Sequence, residues 1–360
     1  MTDEPATRIA GPGSTRHDAG GVGIDDDPAS SPLEEAVPEA TAGMVLHRVL
    51  AESARTFLLN DMTSGFDGGS TRRGPATSPL IGLHAPDRPL WAESVTKVAG
   101  KTGRMATVSE QIHQSRVALR RIRSNLRTFR LLLDPTWGTS LRAELSWYGD
   151  ELGRLRDLDI IRDAVCTTGA GLVGPDILTA LTAALGQQRT QVDAALRVER
   201  AGARRFQLTE QMMVLWDGPS FSEKAARPAA DVLPVMLHRA WHDLRGAARS
   251  ARKDSTDANL HRLRIRLKDL RYGCDTVALV QGGPARKTAK AAERLQSKLG
   301  DLHDVSFVVD WLLAVGDEHT ELIEPVKELI AAEYEIADAT RKGWKRDLKE
   351  IERRWRSWQG

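Results

Sequence analysis

From Ala42 the apolar positions Met44, Val45, Leu46, Val49, Leu50 and Leu58 space out as one face of a helix. A second apolar stripe, Leu119, Ile122, Leu126, Phe129 and Leu133, predicts a helix over about 108–133, closed by Pro135. Helical spacing resumes over about 138–166. After the Gly-rich turn at 169–174 it returns over 176–199 and 202–216. Pro219 and Pro228 mark a linker, followed by predicted helices at 231–252, 257–280, 285–315 and 318–357. No stretch sustains period-two alternation and β-branched residues do not cluster, so the chain is predicted to be all-α.

Two stretches lack the pattern. Residues 1–41 combine Gly, Pro, Ser, Thr and acids with few large apolar side chains, the composition of a disordered tail. Residues 63–106 are similar, apart from a small apolar cluster around Leu80, Ile81, Leu83, Leu90 and Trp91. They are too long for an ordinary connection and are predicted to be a loop insertion of the size of a lid.

Composition narrows the class. The 360 residues carry a net charge of +2 with 41% hydrophobic residues, enough for a real core. That net charge hides an asymmetry. Residues 1–40 hold nine acids and two bases, a local −7, which leaves +9 for the remainder of the +2 total. Cys166 and Cys274 have no CxxC spacing and no zinc partners, so two buried free thiols are expected in a cytoplasmic protein. No apolar run reaches about 20 residues, and neither a signal peptide nor membrane association is expected.

Charge concentrates in one predicted helix. HQSRVALRRIRSNLRTFR, residues 113–130, has no acid between Glu110 and Asp134. At about 100° per residue, His113, Arg116, Arg120, Arg123 and Arg127 share an arc of roughly 80° opposite the apolar stripe. Cations stacked this closely repel one another unless an anion sits against them. A basic face taken alone is more often simply solvated. Here its recurrence argues otherwise.

HQSRVALRRIRSNLR at 113–127 aligns with HRLRIRLKDLRYGCD at 261–275, matching His113 with His261, Arg116 with Arg264, Arg120 with Lys268 and Arg123 with Arg271. ELGRLRDLD at 151–159 has a counterpart in KLGDLHDVS at 298–306, with Gly153 on Gly300, Asp157 on Asp304 and Arg156 replaced by His303. VLHRV at 45–49 recurs as MLHRA at 236–240, and the 43-residue difference in spacing equals the insertion. Three separated matches predict an internal duplication. The expected division is a first repeat at 42–229, interrupted by 63–106, and a second at 230–360.

These residues, HQSRVALRRIRS at 113–124, LGRLRDLD at 152–159 and their second copies, resemble the CHAD family, the conserved-histidine α-helical domains. The resemblance extends from about Ala42 to the last residue. It implies two four-helix bundles related by a pseudo-twofold axis with a basic groove between them. The implied ligand is inorganic polyphosphate, with association at polyphosphate granules. Carried over by position, the implied binding residues are His113, Arg116, Arg120, Arg123 and, as a further candidate, Arg127, with His261, Arg264, Lys268 and Arg271 from the second copy. Asp275 opposite Arg127, and Asp301 opposite Arg154, suggest a less cationic second half.

The residue types suit such a ligand. A polyanion without bases rewards only charge and hydrogen bonds, and arginine offers a planar fork for bidentate contact to phosphate oxygens. His113 and His261 can donate when neutral and add charge when a phosphate raises their pKa. Asp157 and Asp304 read as structural partners of basic residues, His47 and His238 as packing or capping residues. Arg121 and Arg130 read as surface charges, and Trp147, Trp216, Trp241 and Trp311 as core anchors.

Two rival functions are weighed against binding. A metal-dependent phosphohydrolase would use the His-Asp dyads His242–Asp243 and His303–Asp304, but the first copy carries Arg156 where the second has His303, and arginine does not ligate metal. The E-x-E-x-K triplet of the CYTH triphosphatases that some CHAD proteins carry is absent, since Ala337 follows Glu333 and Glu335. A nucleic-acid-binding helical protein would show more net charge and aromatics beside the basic patch. The expectation is a non-enzymatic polyphosphate-binding protein with no metal, no cofactor and no nucleic-acid partner.

Overall fold

The computed structural model describes residues 40–63 and 107–359. The predicted tail, apart from Ala40 and Thr41, and the 63–106 insertion beyond Thr63 lie outside the described residues, as do Arg72 and Arg73. Among the described residues the regular structure is helical, with isolated bridges at Thr41–Pro228 and Leu133–Phe221 in place of strands. None of these helices is long and apolar enough to cross a membrane.

The helices follow the apolar spacing. They are α1 (Ala42–Thr63), α2 (Val108–Thr128), α3 (Pro135–Gly169), α4 (Pro175–Ala201) and α5 (Ala203–Asp217), then α6 (Ala229–Lys253), α7 (Asp257–Gln281), α8 (Gly283–Glu318), α9 (Ile323–Arg341) and α10 (Trp344–Gln359). Side-chain caps set the starts that matter for the site. Thr107 accepts from the Glu110 amide at α2, and Asp134 from the Trp137 amide at α3 ahead of Pro135. Thr256 does the same for the Asn259 amide at α7. The predicted 318–357 helix is instead two, because Gly343 takes φ +92° and turns the chain between α9 and α10.

Packing follows chain order in both halves. α1 packs on α2, α2 on α3 and α3 on α4; α6 packs on α7, α7 on α8 and α8 on α9. Each half contributes five described helices, not the four expected. The fifth ones differ in placement, α5 lying on α1 and α10 on α8. The halves meet where α2 packs on α7 and α3 on α8. Ala40 and Thr41, expected to be tail, are already fixed: the Ala229 amide donates to Ala40 O at 2.9 Å, and the Ala42 amide donates to Arg227 O at 2.9 Å.

Two apolar cores result. The large one gathers Leu46, Phe57, Ile122, Phe129 and Leu152 with Leu237, Leu267, Leu295 and Leu299, and so joins both halves. The smaller one packs Leu158, Ile161 and Val165 of α3 against Leu181 and Leu185 of α4, Val308, Leu312 and Val315 of α8, and Val326 and Leu329 of α9. The expected Trp anchors are only partly buried at positions 147, 216, 241 and 311; Tyr148, Tyr272, Phe57 and Phe129 fill the interior. Trp147 lies under the Arg204 guanidinium at 4.0 Å, and Trp241 stacks on Trp355 at 4.7 Å. Trp147, Trp241 and Trp311 pack against the margins of the cores, whereas Trp344 and Trp355 of α10 are the buried tryptophans among the described residues. Cys274 is buried as expected, and burial pushes its thiol pKa up. Cys166 is exposed, because its position on α3 faces away from the smaller core.

One buried charged network ties α1 to α3, α4 and α5. Asp61 accepts from Tyr148 Oη at 2.6 Å and from Arg205 Nε at 3.0 Å, and Arg200 lies 3.7 Å away. Burial, then the Asp61 charge, raises the Tyr148 pKa. His47 and His238 are packing residues as read: His47 Nε2 is 2.9 Å from Trp216 O, and His238 lies edge-on to Trp355 at 5.4 Å.

Candidate functional site

Where α2, α3, α7 and α8 come together they enclose a cavity of about 420 Å³. The cationic face of α2 supplies His113, Arg116, Arg120 and Arg123; α7 supplies His261, Arg264 and Lys268. Their apolar faces explain the orientation, since Leu119, Ile122 and Leu126 are buried in the large core, as are Leu260, Leu263 and Leu267. α3 adds Arg156, Asp150 and Asp157, and α8 adds His303, Asp304 and Phe307. Seven of the nine sequence-assigned residues thus share one cavity.

Arg127 and Arg271 stand apart from it. Arg127 Nη1 donates to Asp269 Oδ2 at 2.8 Å, in a second cavity beyond the end of α2. Arg271 is buried, paired with Glu293 of α8, and its guanidinium lies over the Tyr272 ring at 5.2 Å. Acids from other turns and other helices capture both residues, which the helical arc alone does not reveal.

Arg156 and His303 line the cavity without having been assigned to it. The signal was their match at equivalent places in the two copies, directly before Asp157 and Asp304. The His303 ring sits 4.5 Å from that of His261 and 4.8 Å from that of Phe307.

The cavity holds six permanent cations, Arg116, Arg120, Arg123, Arg156, Arg264 and Lys268, against three carboxylates, a formal excess of three. All six are half-buried. Arg116 reaches Asp157 at 3.6 Å and donates to Gly153 O at 3.3 Å, yet desolvation, followed by the charge on Arg120, pushes its pKa down to about 10. Desolvation likewise raises the Asp157 pKa despite the nearby Arg116. Both partners are therefore held charged at a cost, and the pair does not cancel it.

Burial lowers the Arg123 pKa too, and neither Arg120 nor Arg123 forms an ion pair with a described residue. Arg120 Nε is buried without a hydrogen-bond partner. Desolvation and the charges of Arg264 and Lys268 lower the pKa of His261, and desolvation and Arg264 lower that of His303 to about 4. Both rings are neutral at pH 7.

Two glycines lie against the arginines. A Cβ at Gly153 would stand 3.4 Å from Arg116 Nη2, an ordinary contact, and one at Gly300 would stand 3.1 Å from Arg264 Nη2. Only at Gly300 would the guanidinium from the neighbouring helix have to give way to a side chain.

The His-Asp dyads do not converge. His303 and Asp304 line the cavity, whereas His242 is exposed on α6 and Asp243 lines the second cavity. Among the described residues no group of three or more His, Cys, Asp or Glu side chains is placed to hold a metal ion. Arg130, read as a surface charge, also lines the second cavity.

Two solved structures are similar to this chain. The crystal structure of the CHAD domain from the plant Ricinus communis has a TM-score of 0.61 at 18% identity, covering 90% of this chain and 97% of that one. PptA from Streptomyces chartreusis gives a TM-score of 0.50 at 18% identity, covering 88% of this chain and 100% of that one. At such identities the likeness is one of fold. A comparison with curated proteins returned no match. The family profile described as the CHAD domain matches residues 93–313, the span that contains α2, α3, α7 and most of α8. The chain belongs to the CHAD domain family.

Proposed function

We propose that this protein binds inorganic polyphosphate in the cavity between α2, α3, α7 and α8, without catalysing its turnover. The observation that carries the reading is the surplus of half-buried cations: burial outweighs ion pairing at Arg116, and neither Arg120 nor Arg123 has an ion pair among the described residues, although the Asp150 charge acts on Arg123. A polyanion supplies what is missing. Its oxygens accept from several guanidiniums at once, each charge-assisted bond contributing roughly 1.5–3 kcal/mol. His113, Arg116, Arg120 and Arg123 form one wall; His261, Arg264 and Lys268 form the other.

The proposal includes descent from a duplicated helical repeat. The matched sequence segments support it, together with the parallel packing order of α1–α4 and α6–α9. Aromatic residues contribute only Phe307 and the histidines to the lining, which favours a ligand without bases over nucleic acid. Binding at polyphosphate granules in the cytoplasm is the cellular setting that fits this reading.

Calorimetry with long-chain polyphosphate tests it, run beside a single-stranded nucleic acid of similar length. Polyphosphate should bind, more weakly as salt rises, and nucleic acid should not. Arg116→Glu/Arg120→Glu should abolish binding with helicity intact. Equal binding of nucleic acid, unaltered affinity in the double variant, or metal-dependent release of phosphate would each overturn the reading.

A further inference from the structure

Beyond the C-terminal end of α2 lies the second cavity, of about 540 Å³, which shares only Ile265 with the lining of the first. Five arginines and two carboxylates line it, again a formal excess of three positive charges. Asp269 is shared by Arg127 at 2.8 Å and Arg266 at 3.4 Å, and Arg266 also reaches Asp243 at 3.8 Å. The carboxylates are thereby used up. Arg130 beside α2, Arg142 on α3 and Arg239 on α6 form no ion pair with any described residue.

Three guanidiniums from three segments thus line one space without an ion pair of their own, an excess of like charge that the two carboxylates do not balance. Desolvation lowers the pKa of Arg142, and the charges of Arg127 and Arg130 add to the effect while Asp269 opposes it. An independent observation points the same way. Thr128, in the lining of this cavity, is 8% exposed, and its hydroxyl is buried without a hydrogen-bond partner. A buried hydroxyl is ordinarily satisfied, most often by its own helix.

We propose that this cavity is a second binding site, for an inorganic phosphoryl oxyanion, formed by Arg130, Arg142, Arg239 and the Thr128 hydroxyl. Guanidinium forks and a hydroxyl donor match the oxygens of a phosphate group bearing more than one negative charge, and three of them exceed what a single carboxylate neutralises. No aromatic side chain lines the space, so a nucleotide base finds no stacking surface there. The site stands independently of the polyphosphate reading, because its residues are not those of the first cavity.

The test is calorimetry of the full chain with linear tripolyphosphate and with orthophosphate. Tripolyphosphate should occupy two sites per chain. Arg142→Gln/Arg239→Gln should weaken one of them at least tenfold and leave the other. Arg116→Gln/Arg120→Gln should do the converse. Thr128→Val should weaken only the second site, several-fold, and this readout does not depend on bulk charge or on a disturbed arginine.

Orthophosphate lost from the Arg142/Arg239 variant would show that a single phosphate group suffices. Binding confined to tripolyphosphate would identify the ligand as an oligophosphate. Wild-type stoichiometry and affinity in the Arg142/Arg239 variant would overturn the second site. If only the Arg116/Arg120 variant were silent, the polyphosphate reading of the first cavity would fail while the second site stood.

Discussion

Replacing Arg116 by methionine keeps an unbranched side chain against Gly153 and removes the guanidinium. In the free protein this guanidinium has a pKa of about 10 against an ordinary 12.5. Such a depression corresponds to about 3 kcal/mol against the charged form. With 20% of the side chain exposed, solvent screens part of that. Asp157 would also lose its nearest cation, offsetting about 1–2 kcal/mol more, although Arg156 and Arg264 remain close to it. The net expectation is that Arg116→Met stabilises the ligand-free protein by about 1 kcal/mol, a rise of about 2–4 °C in Tm.

Binding should move the other way. Losing one guanidinium's contacts lowers polyphosphate affinity about tenfold. Thermal unfolding with and without long-chain polyphosphate reads both effects, because a ligand that binds only the folded state raises Tm by mass action. The variant should melt above the wild type without ligand and below it with saturating ligand. A variant that melts below the wild type in both conditions would show that the Arg116–Asp157 pair is a net structural link, and the argument that burial outweighs pairing would be wrong.

The pKa of His303 is about 4 in the folded protein against 6.5 ordinarily, so the unfolded chain binds more protons between those values. The contribution of this ring to stability therefore falls as pH drops from about 6.5 to 4, and His303→Gln should flatten that slope. A bound polyanion would raise the pKa of His261 and His303, two of the three cavity histidines, so affinity should increase from pH 7 to 5 with proton uptake measurable by calorimetry in buffers of different ionisation heat; a flat profile would take His261 and His303 away from the ligand. Gly153→Ala, whose Cβ meets Arg116 at ordinary contact distance, should gain up to about 1 kcal/mol of helix stability with little change in binding. Gly300→Ala should instead displace Arg264 and weaken binding several-fold, and equal affinity in the two variants would show that the seat of Arg264 does not matter. Asp61→Ala should cost about 3–5 kcal/mol in urea denaturation by stranding the buried Arg205, whereas a loss under about 1 kcal/mol would make the network dispensable.

The helical content was legible because each long helix buries a continuous apolar stripe, as α2 does with Leu119, Ile122 and Leu126. The break at Gly343 was not, since the run through 318–357 keeps its helical spacing on both sides of one residue with positive φ. Periodicity also shows which face a residue occupies, not which partner meets it there. Arg120 and Arg127 share an arc, yet only the first opens into the four-helix cavity; Asp269, from α7, claims the second. Aligning the copies located Arg271 opposite Arg123, but Glu293 holds it in the protein interior. The same alignment pairs Arg156 with His303, but a position that differs in residue type between the copies does not by itself mark a ligand contact.

The four-helix cavity lies along α3 and α8 at the point where the large core gives way to the smaller one, between Leu155 and Leu158 on one helix and between Leu302 and Val308 on the other. The cations of α2 and α7 face it from helices whose opposite faces are fixed in the large core. A site anchored in this way is preorganised: its charges are already spaced before any ligand arrives, and little of the protein has to be ordered on binding. On the polyphosphate reading, the entropic cost of association would then fall on the flexible polyanion, which would have to straighten to follow the walls.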